Sequence, residues 1–373
     1  MSDAIQTLTM PKWGLSMKEG KVTGWLVDEG ATVESGAELV DIETEKISSA
    51  AEAPAGGVLR RRVAAQGDVL PVSGLLGIIA DPSVPDADID AFVADFQANF
   101  APPEDDDEDA GPATETIEID GANVRYLVKG EGDGVPIILI HGFGGDLNNW
   151  LFNHDALAEA RIVYALDLPG HGGSAKAVAD GSVAALAGAV RKFMDALGIE
   201  QANLVGHSLG GAVALALALG HAGRAASLTL ICSAGLGTEI NSEYIQGFIG
   251  ATRRKEIKPW LEQLFADPSL VSRQLVDDIL KFKRLDGVED ALRTIADGFL
   301  ADGTQSAVLA DRLGDAGVPV LVVWGAEDRI IPVAHAQGLP GGVTVEIVAG
   351  SGHMVQMEAA GTVNGLIEGF LNR

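Results

Sequence analysis

Residues 203–219 read Asn-Leu-Val-Gly-His-Ser-Leu-Gly-Gly-Ala-Val-Ala-Leu-Ala-Leu-Ala-Leu, and the character of the chain changes inside that stretch. An apolar strand end, Asn203 to Val205, runs into Gly206-His207-Ser208-Leu209-Gly210 and then into an uncharged Ala/Leu helix. A serine hydroxyl is a weak nucleophile unless the backbone projects it out of a sheet beside a general base, and a sharp strand-to-helix turn does this. Gly206 and Gly210 leave room for such a turn. The spacing alone decides little, because the chain has 47 glycines and a serine here can simply cap the helix. The reading depends on partners elsewhere in the chain.

Composition narrows the classes. The chain has 373 residues, 47% of them apolar, which suits about two domains with real cores. A single cysteine, Cys232, excludes an internal disulfide framework and favours a reducing compartment. The start, MSDAIQTLTM, has neither the basic nor the apolar segment of a secretory signal, and the uncharged run Leu209 to Leu219 is too short to span a bilayer. The expected location is therefore cytoplasmic. With 26 Lys+Arg against 53 Asp+Glu, the net charge of −27 argues against nucleic acid or an anionic membrane as partner.

Residues 1–81 are read as one all-β domain. Val, Leu and Ile alternate with polar residues and glycine punctuates them, as in short strands with turns. The segment also repeats: Gly20-Lys21-Val22 through Val33 recurs as Gly57-Val58-Leu59 through Leu70, an offset of 37 residues. That predicts a flattened barrel of two similar halves. Between the halves, Asp41-Ile42-Glu43-Thr44-Glu45-Lys46-Ile47 puts one lysine at the joining turn. The segment resembles a lipoyl domain of the 2-oxo acid dehydrogenase type, whose lipoylated lysine sits in a Glu-Thr-Asp-Lys hairpin. Here Glu45 replaces the Asp and Ile47 the small residue. Biotinyl domains share the fold but flank their lysine with methionines, which Lys46 lacks, so the resemblance implies lipoate on Lys46 and a lipoate ligase as partner. The alternative is an exposed lysine that merely solubilises the turn.

Residues 82–113 read as an acidic flexible linker. Asp81 to Ala113 holds 11 acidic residues and no Lys or Arg, ending in a Pro-containing charged run. Within it Ile89, Phe92, Val93, Phe96 and Phe100 fall at helical spacing. A short amphipathic helix is expected, packing on the chain's own catalytic domain in preference to a partner.

Residues 114–373 predict a mostly parallel sheet covered by helices, with strands at Ile117–Ile119, Val124–Val128, Pro136–Ile140, Ile162–Leu166, Asn203–Val205, Ser227–Ile231, Val320–Val323 and Val345–Val348. With the serine turn, this resembles the α/β-hydrolase fold, whose triad follows in the order Ser, acid, His. Asp328, after the strand ending at Trp324, fits the acid; Glu327 is its neighbour, and the family pattern Gly-x-x-Asp selects Asp328. His353, after the strand ending at Val348, fits the base. His141-Gly142-Phe143-Gly144-Gly145 is similar to the family's oxyanion loop, which makes the Phe143 and Leu209 N–H groups the expected oxyanion donors. His141 is read as bracing that loop, His171 has no catalytic role, and His207 shapes the pocket. Residues 237–305 read as a helical cap that gives the pocket its shape. No metal site is assigned.

A lipoyl domain joined by an acidic linker to an α/β-hydrolase domain resembles the dihydrolipoamide acetyltransferase components of acetoin-cleaving dehydrogenase complexes. None of the seven histidines stands in the His-x-x-x-Asp-Gly motif of the familiar acyltransferase components, so Ser208 chemistry is expected in its place. The resemblance implies acetylation of the lipoyl group by a thiamine-diphosphate-dependent acetoin dehydrogenase component, transfer to coenzyme A, and reoxidation by a flavin-dependent dihydrolipoamide dehydrogenase. Two other readings stay open: a carboxylester or thioester hydrolase carrying a lipoyl domain for localisation, and a carrier scaffold whose hydrolase fold only binds partners. The cap carries nine basic residues against 12 acidic ones, and its clusters Arg253-Arg254-Lys255 with Lys258, and Lys281 with Lys283-Arg284, are candidates for the phosphates of coenzyme A. Solvated helix faces are the alternative.

Overall fold

The computed structural model describes residues 5–11, 18–34, 36–43, 48–101 and 114–372. Lys46 and the acidic run 102–113 lie outside the described residues. The chain forms two compact units that divide near residue 109.

In the first unit, β1 (Ile5–Thr9), β2 (Glu19–Trp25), β3 (Thr32–Val33), β4 (Glu38–Glu43), β5 (Ser48–Glu52), β6 (Gly57–Arg62), β7 (Val69–Pro71) and β8 (Leu75–Ala80) make two four-stranded sheets, ordered β1-β8-β6-β3 and β5-β4-β2-β7. The sequence repeat is a structural repeat. Lys21 pairs with Val69 across β2 and β7, and Thr32 with Val58 across β3 and β6, so each pair maps onto the other by the 37-residue offset. Val22 and its counterpart Leu59 are both fully buried in the shared core. The last paired residues of β4 and β5 are Glu43 and Ser48.

The amphipathic stretch forms α1 (Asp86–Asn99), and it packs on this barrel, not on the catalytic unit as expected. The reason lies in β8, Leu-Leu-Gly-Ile-Ile-Ala, which is buried along its whole length. Leu76 and Ile79 fill the barrel core, while Leu75, Ile78 and Ala80 on the opposite face meet Ile89, with Phe92, Val93 and Phe96 around them. Arg60 and Arg61 of β6 pin the helix through Asp86 at 2.7 Å and Asp90 at 2.9 Å. These exposed pairs orient more than they stabilise; covering an apolar sheet face supplies the energy.

The second unit contains β9 (Glu115–Ile119), β10 (Ala122–Lys129), β11 (Ile137–Ile140), α2 (His154–Leu157), β12 (Val163–Leu166), α3 (Val183–Ala196), β13 (Ala202–His207), α4 (Leu209–Gly220) and β14 (Ala225–Ile231). The cap follows as α5 (Ser242–Gly250), α6 (Arg254–Leu261), α7 (Arg273–Lys283), α8 (Val288–Phe299) and a small hairpin, β15 (Leu300–Ala301) with β16 (Thr304–Gln305). Then come β17 (Val320–Gly325), β18 (Val343–Val348), α9 (Val355–Glu358) and α10 (Ala360–Leu371). The eight-stranded sheet runs β18-β17-β14-β13-β11-β12-β10-β9, antiparallel only at β9-β10-β12. Its central strands β11, β13 and β17 are buried throughout, as a sheet covered on both faces requires. Among the described residues no helix is long and apolar enough to cross a membrane.

Candidate active site

Ser208 stands between β13 and α4 with φ 53° and ψ −121°, a strained conformation for a residue with a side chain. The turn holds because its neighbours leave no alternative. A Cβ at Gly206 would lie 2.2 Å from the Gly210 carbonyl, and one at Gly210 would lie 2.2 Å from that of Ile140. Backbone bonds clamp the serine: its N–H donates to Ile231 O at 2.9 Å, and its carbonyl accepts from Ala234 N–H at 3.0 Å.

Asp328 and His353 come from the ends of β17 and β18. His353 Nδ1–H donates to Asp328 Oδ2 at 2.8 Å, and both side chains are almost fully buried. Asp328 Oδ1 accepts from the N–H groups of Ile330 and Ile331 at 2.8 and 3.0 Å. Burial opposes ionisation of Asp328, but the imidazole and those two amides outweigh it and hold the carboxyl below its ordinary value. Glu327, the alternative acid, is exposed. With Nδ1 donating, Nε2 of the neutral ring is left as the proton acceptor.

Ser208 and His353 line one cavity of about 690 Å³, its open mouth included. Phe143 and Leu209, the expected oxyanion donors, line it too. Leu209 opens α4, so its N–H has no carbonyl one turn back. Among the described residues neither amide meets a protein acceptor. The loop carrying Phe143 is braced by two buried histidines. His171 Nε2 accepts from Gly144 N–H at 3.0 Å, and His141 Nε2 accepts from Leu168 N–H at 3.0 Å. Burial lowers the pKa of both rings, which keeps those nitrogens free to accept. His207 supports the candidate base directly: its Nε2–H donates to the His353 carbonyl at 2.9 Å, and burial beside the His353 ring pushes its pKa down to about 3.

Glu358, which sequence reasoning missed, ties the histidine loop to the cap. One carboxylate oxygen accepts from Gly352 N–H and the other from Ala266 N–H, each at 2.7 Å. No motif marks it. Its only sequence signal is an acidic residue five positions after a candidate base.

None of the seven basic candidates lines the cavity. Arg254 on α6 pairs with Asp277 on α7 through Nε at 3.1 Å. Lys281 lies 3.5 Å from Asp278. Lys283 does not present its charge to a solvent phosphate as expected. Its ammonium caps the C-terminal carbonyls of α5 at Phe248 and Ile249, sits 5.0 Å over the Phe248 ring, and is pushed by burial down to about 8. Arg254 and Lys283 thus bind cap helices together. Arg253, Lys255 and Arg284 also make contacts of their own.

Comparison with known proteins agrees with this architecture. A model of the alpha/beta hydrolase fold matches residues 135–360, and a model described as biotin-requiring enzyme, covering biotin and lipoyl domains, matches residues 6–79. The chain is 50% identical over 373 residues to the dihydrolipoyllysine-residue acetyltransferase component of the acetoin cleaving system of Cupriavidus necator, spanning 100% of this chain and 98% of the relative. The component of the same name from Pseudomonas putida is 50% identical over 369 residues, with 99% of each chain covered. Among solved structures, a meta-cleavage product hydrolase from Pseudomonas fluorescens superimposes with a TM-score of 0.63 at 25% identity, over 69% of this chain and 97% of the other. A match at half identity from end to end carries both domains and their order, so the chain belongs to the family of dihydrolipoyllysine-residue acetyltransferase components of acetoin cleaving systems.

Proposed function

We propose that this enzyme moves an acetyl group from a lipoyl group on Lys46 to coenzyme A, with Ser208, His353 and Asp328 as its relay and the Phe143 and Leu209 amides as its oxyanion donors. The observation that carries the reading is that His353, paired with buried Asp328 at 2.8 Å, lines one cavity with a strained Ser208. The barrel supports the arm, because Lys46 falls in the sequence between the halves of its two-fold repeat. A lipoyl group there supplies a thiol that carries the acetyl group as a thioester.

Ser208 Oγ attacks the acetyl carbonyl and gives its proton to His353 Nε2, while Asp328 holds the charged ring. The two amides stabilise the oxyanion. As the carbon–sulfur bond breaks, His353 returns the proton to the leaving thiol, and the acetyl group rests on Ser208. Coenzyme A then reverses these steps: its thiol loses a proton to Nε2, attacks the acyl-serine, and Oγ recovers the proton. Among the described residues no Asp, Glu, Lys or Arg lines the cavity, so the phosphates stay outside and only the thiol arm enters. In this reading the partners are a thiamine-diphosphate-dependent dehydrogenase, a flavin-dependent dihydrolipoamide dehydrogenase and a lipoate ligase in a cytoplasmic setting; the relatives' names support membership of an acetoin cleaving system and no more.

The test is Ser208→Ala in lipoylated protein. Acetyl-coenzyme A formation falls by at least about 10³, while Lys46 still accepts acetyl from the thiamine component. A normal rate in the variant means that coenzyme A attacks the thioester directly. Water in place of coenzyme A as the favoured acceptor, read from the products, makes the enzyme a thioester hydrolase.

A further inference from the structure

The cap side of the cavity is almost wholly apolar, with one exception. Tyr244 sits in the first turn of α5, where its backbone N–H donates to the capping Asn241 side chain at 2.9 Å. It lines the cavity and is 4% exposed. The side chains of its wall neighbours Ile245, Phe248, Leu275 and Ile279 offer no oxygen. Among the described residues nothing pairs with its hydroxyl, and burial raises the pKa of the phenol, so it keeps its proton. A phenylalanine would fill the same shape without a hydroxyl that no protein group meets.

We infer that Tyr244 is a specificity-determining residue whose hydroxyl donates to an amide carbonyl on the uncharged aliphatic arm of the thioester substrate. Three features select that ligand. The group must accept a hydrogen bond. It must be neutral, because no charged side chain lines the cavity. It must also sit on an apolar chain ending in sulfur if it is to reach Ser208. Two molecules share this chemistry under the proposed reaction, on which the inference rests: the acyl donor, built on a lysine amide, and coenzyme A, whose thiol arm contains amides. An acetyl group alone needs none of this wall.

The experiment uses the full-length protein with two substrate pairs. The donors are S-acetyl dihydrolipoamide and the same acetylated dithiol chain without its carboxamide, followed by chromatographic appearance of the released, deacetylated dithiol. The acceptors are coenzyme A and a simple alkanethiol, followed by transfer of the acetyl group. In the wild type, losing the amide from the recognised partner raises KM by about five- to tenfold with kcat nearly unchanged. In Tyr244→Phe, KM for the amide-containing member rises to that of its amide-free counterpart, and the pair converges. Convergence of the donor pair identifies the lipoyl arm as the ligand, and convergence of the acceptor pair identifies coenzyme A. The inference is overturned if both KM ratios survive the substitution, or if all substrates lose rate together with a lowered unfolding temperature. Should Tyr244→Phe fail to fold, equal KM values within both pairs in the wild type overturn it alone. Absence of transfer to coenzyme A refutes the acetyltransferase reading separately, because thiol release still reports the donor pair.

Discussion

A histidine held neutral inside a fold makes that fold sensitive to acid, and His207 is such a residue. Its pKa is about 3 here, against about 6.5 in an unfolded chain. Between those values the unfolded chain binds a proton that the folded chain refuses, so stability falls as pH drops below about 6.5 and is level above it. By pH 5 the expected loss from this one ring is about 2 kcal/mol. His141 and His171 are lowered by the same burial and act in the same direction. Urea midpoints measured from pH 7.5 to 5 should therefore fall, and His207→Gln, which keeps a donor for the His353 carbonyl without titrating, should flatten the slope by about one proton. At this scale the sequence was readable where chemistry demands fixed neighbours. Ser208, Asp328 and His353 each follow a strand in a recognisable local pattern. Tyr244 and Glu358 do not, since a tyrosine in a helix and a glutamate after a loop acquire meaning only from what the fold sets opposite them.

Strands were the legible elements. All eight strands of the large sheet were predicted within a few residues, because buried parallel strands are short apolar runs bounded by turns. The placement of α1 was not predicted, although the signal was present. Leu75 to Ala80 is a continuous apolar run in a domain whose other strands alternate, and such a run means two covered faces. Ile89 is fully buried in the second face. Ile89→Ala should cost about 2–4 kcal/mol. Calorimetry of the whole chain should show one transition lowered, with the transition of the catalytic unit unmoved. Movement of both, or of neither, contradicts the packing of α1 on the barrel. The cap helices were harder to read for a different reason: their basic clusters resemble a ligand site in sequence, yet Lys283 and Arg254 join one helix to the next.

For the whole molecule, charge sets the terms on which substrate arrives. A net charge of −27 repels the phosphates of coenzyme A, and this repulsion weakens as salt screens it. KM for coenzyme A should therefore fall modestly as ionic strength rises from about 20 to 200 mM. Any of Arg253, Lys255, Lys281 or Arg284 that meets a phosphate should, once neutralised, raise KM about tenfold. Steady-state kinetics across a salt series separates the two effects: a general field changes with salt in every variant, whereas a lost contact shifts only the variant that lost it.

Glu358 makes the cap and the base one thermodynamic unit. Because the same carboxylate holds Gly352 beside the base and Ala266 in the cap, any ligand that steadies the cap must also steady His353, by the reciprocity that binds linked equilibria. Glu358→Ala should uncouple the two, lowering kcat for acetyl transfer by about tenfold or more and abolishing the protection that substrate gives the cap against limited proteolysis. Retention of that protection in the variant would show that the cap and the histidine loop answer to the ligand independently.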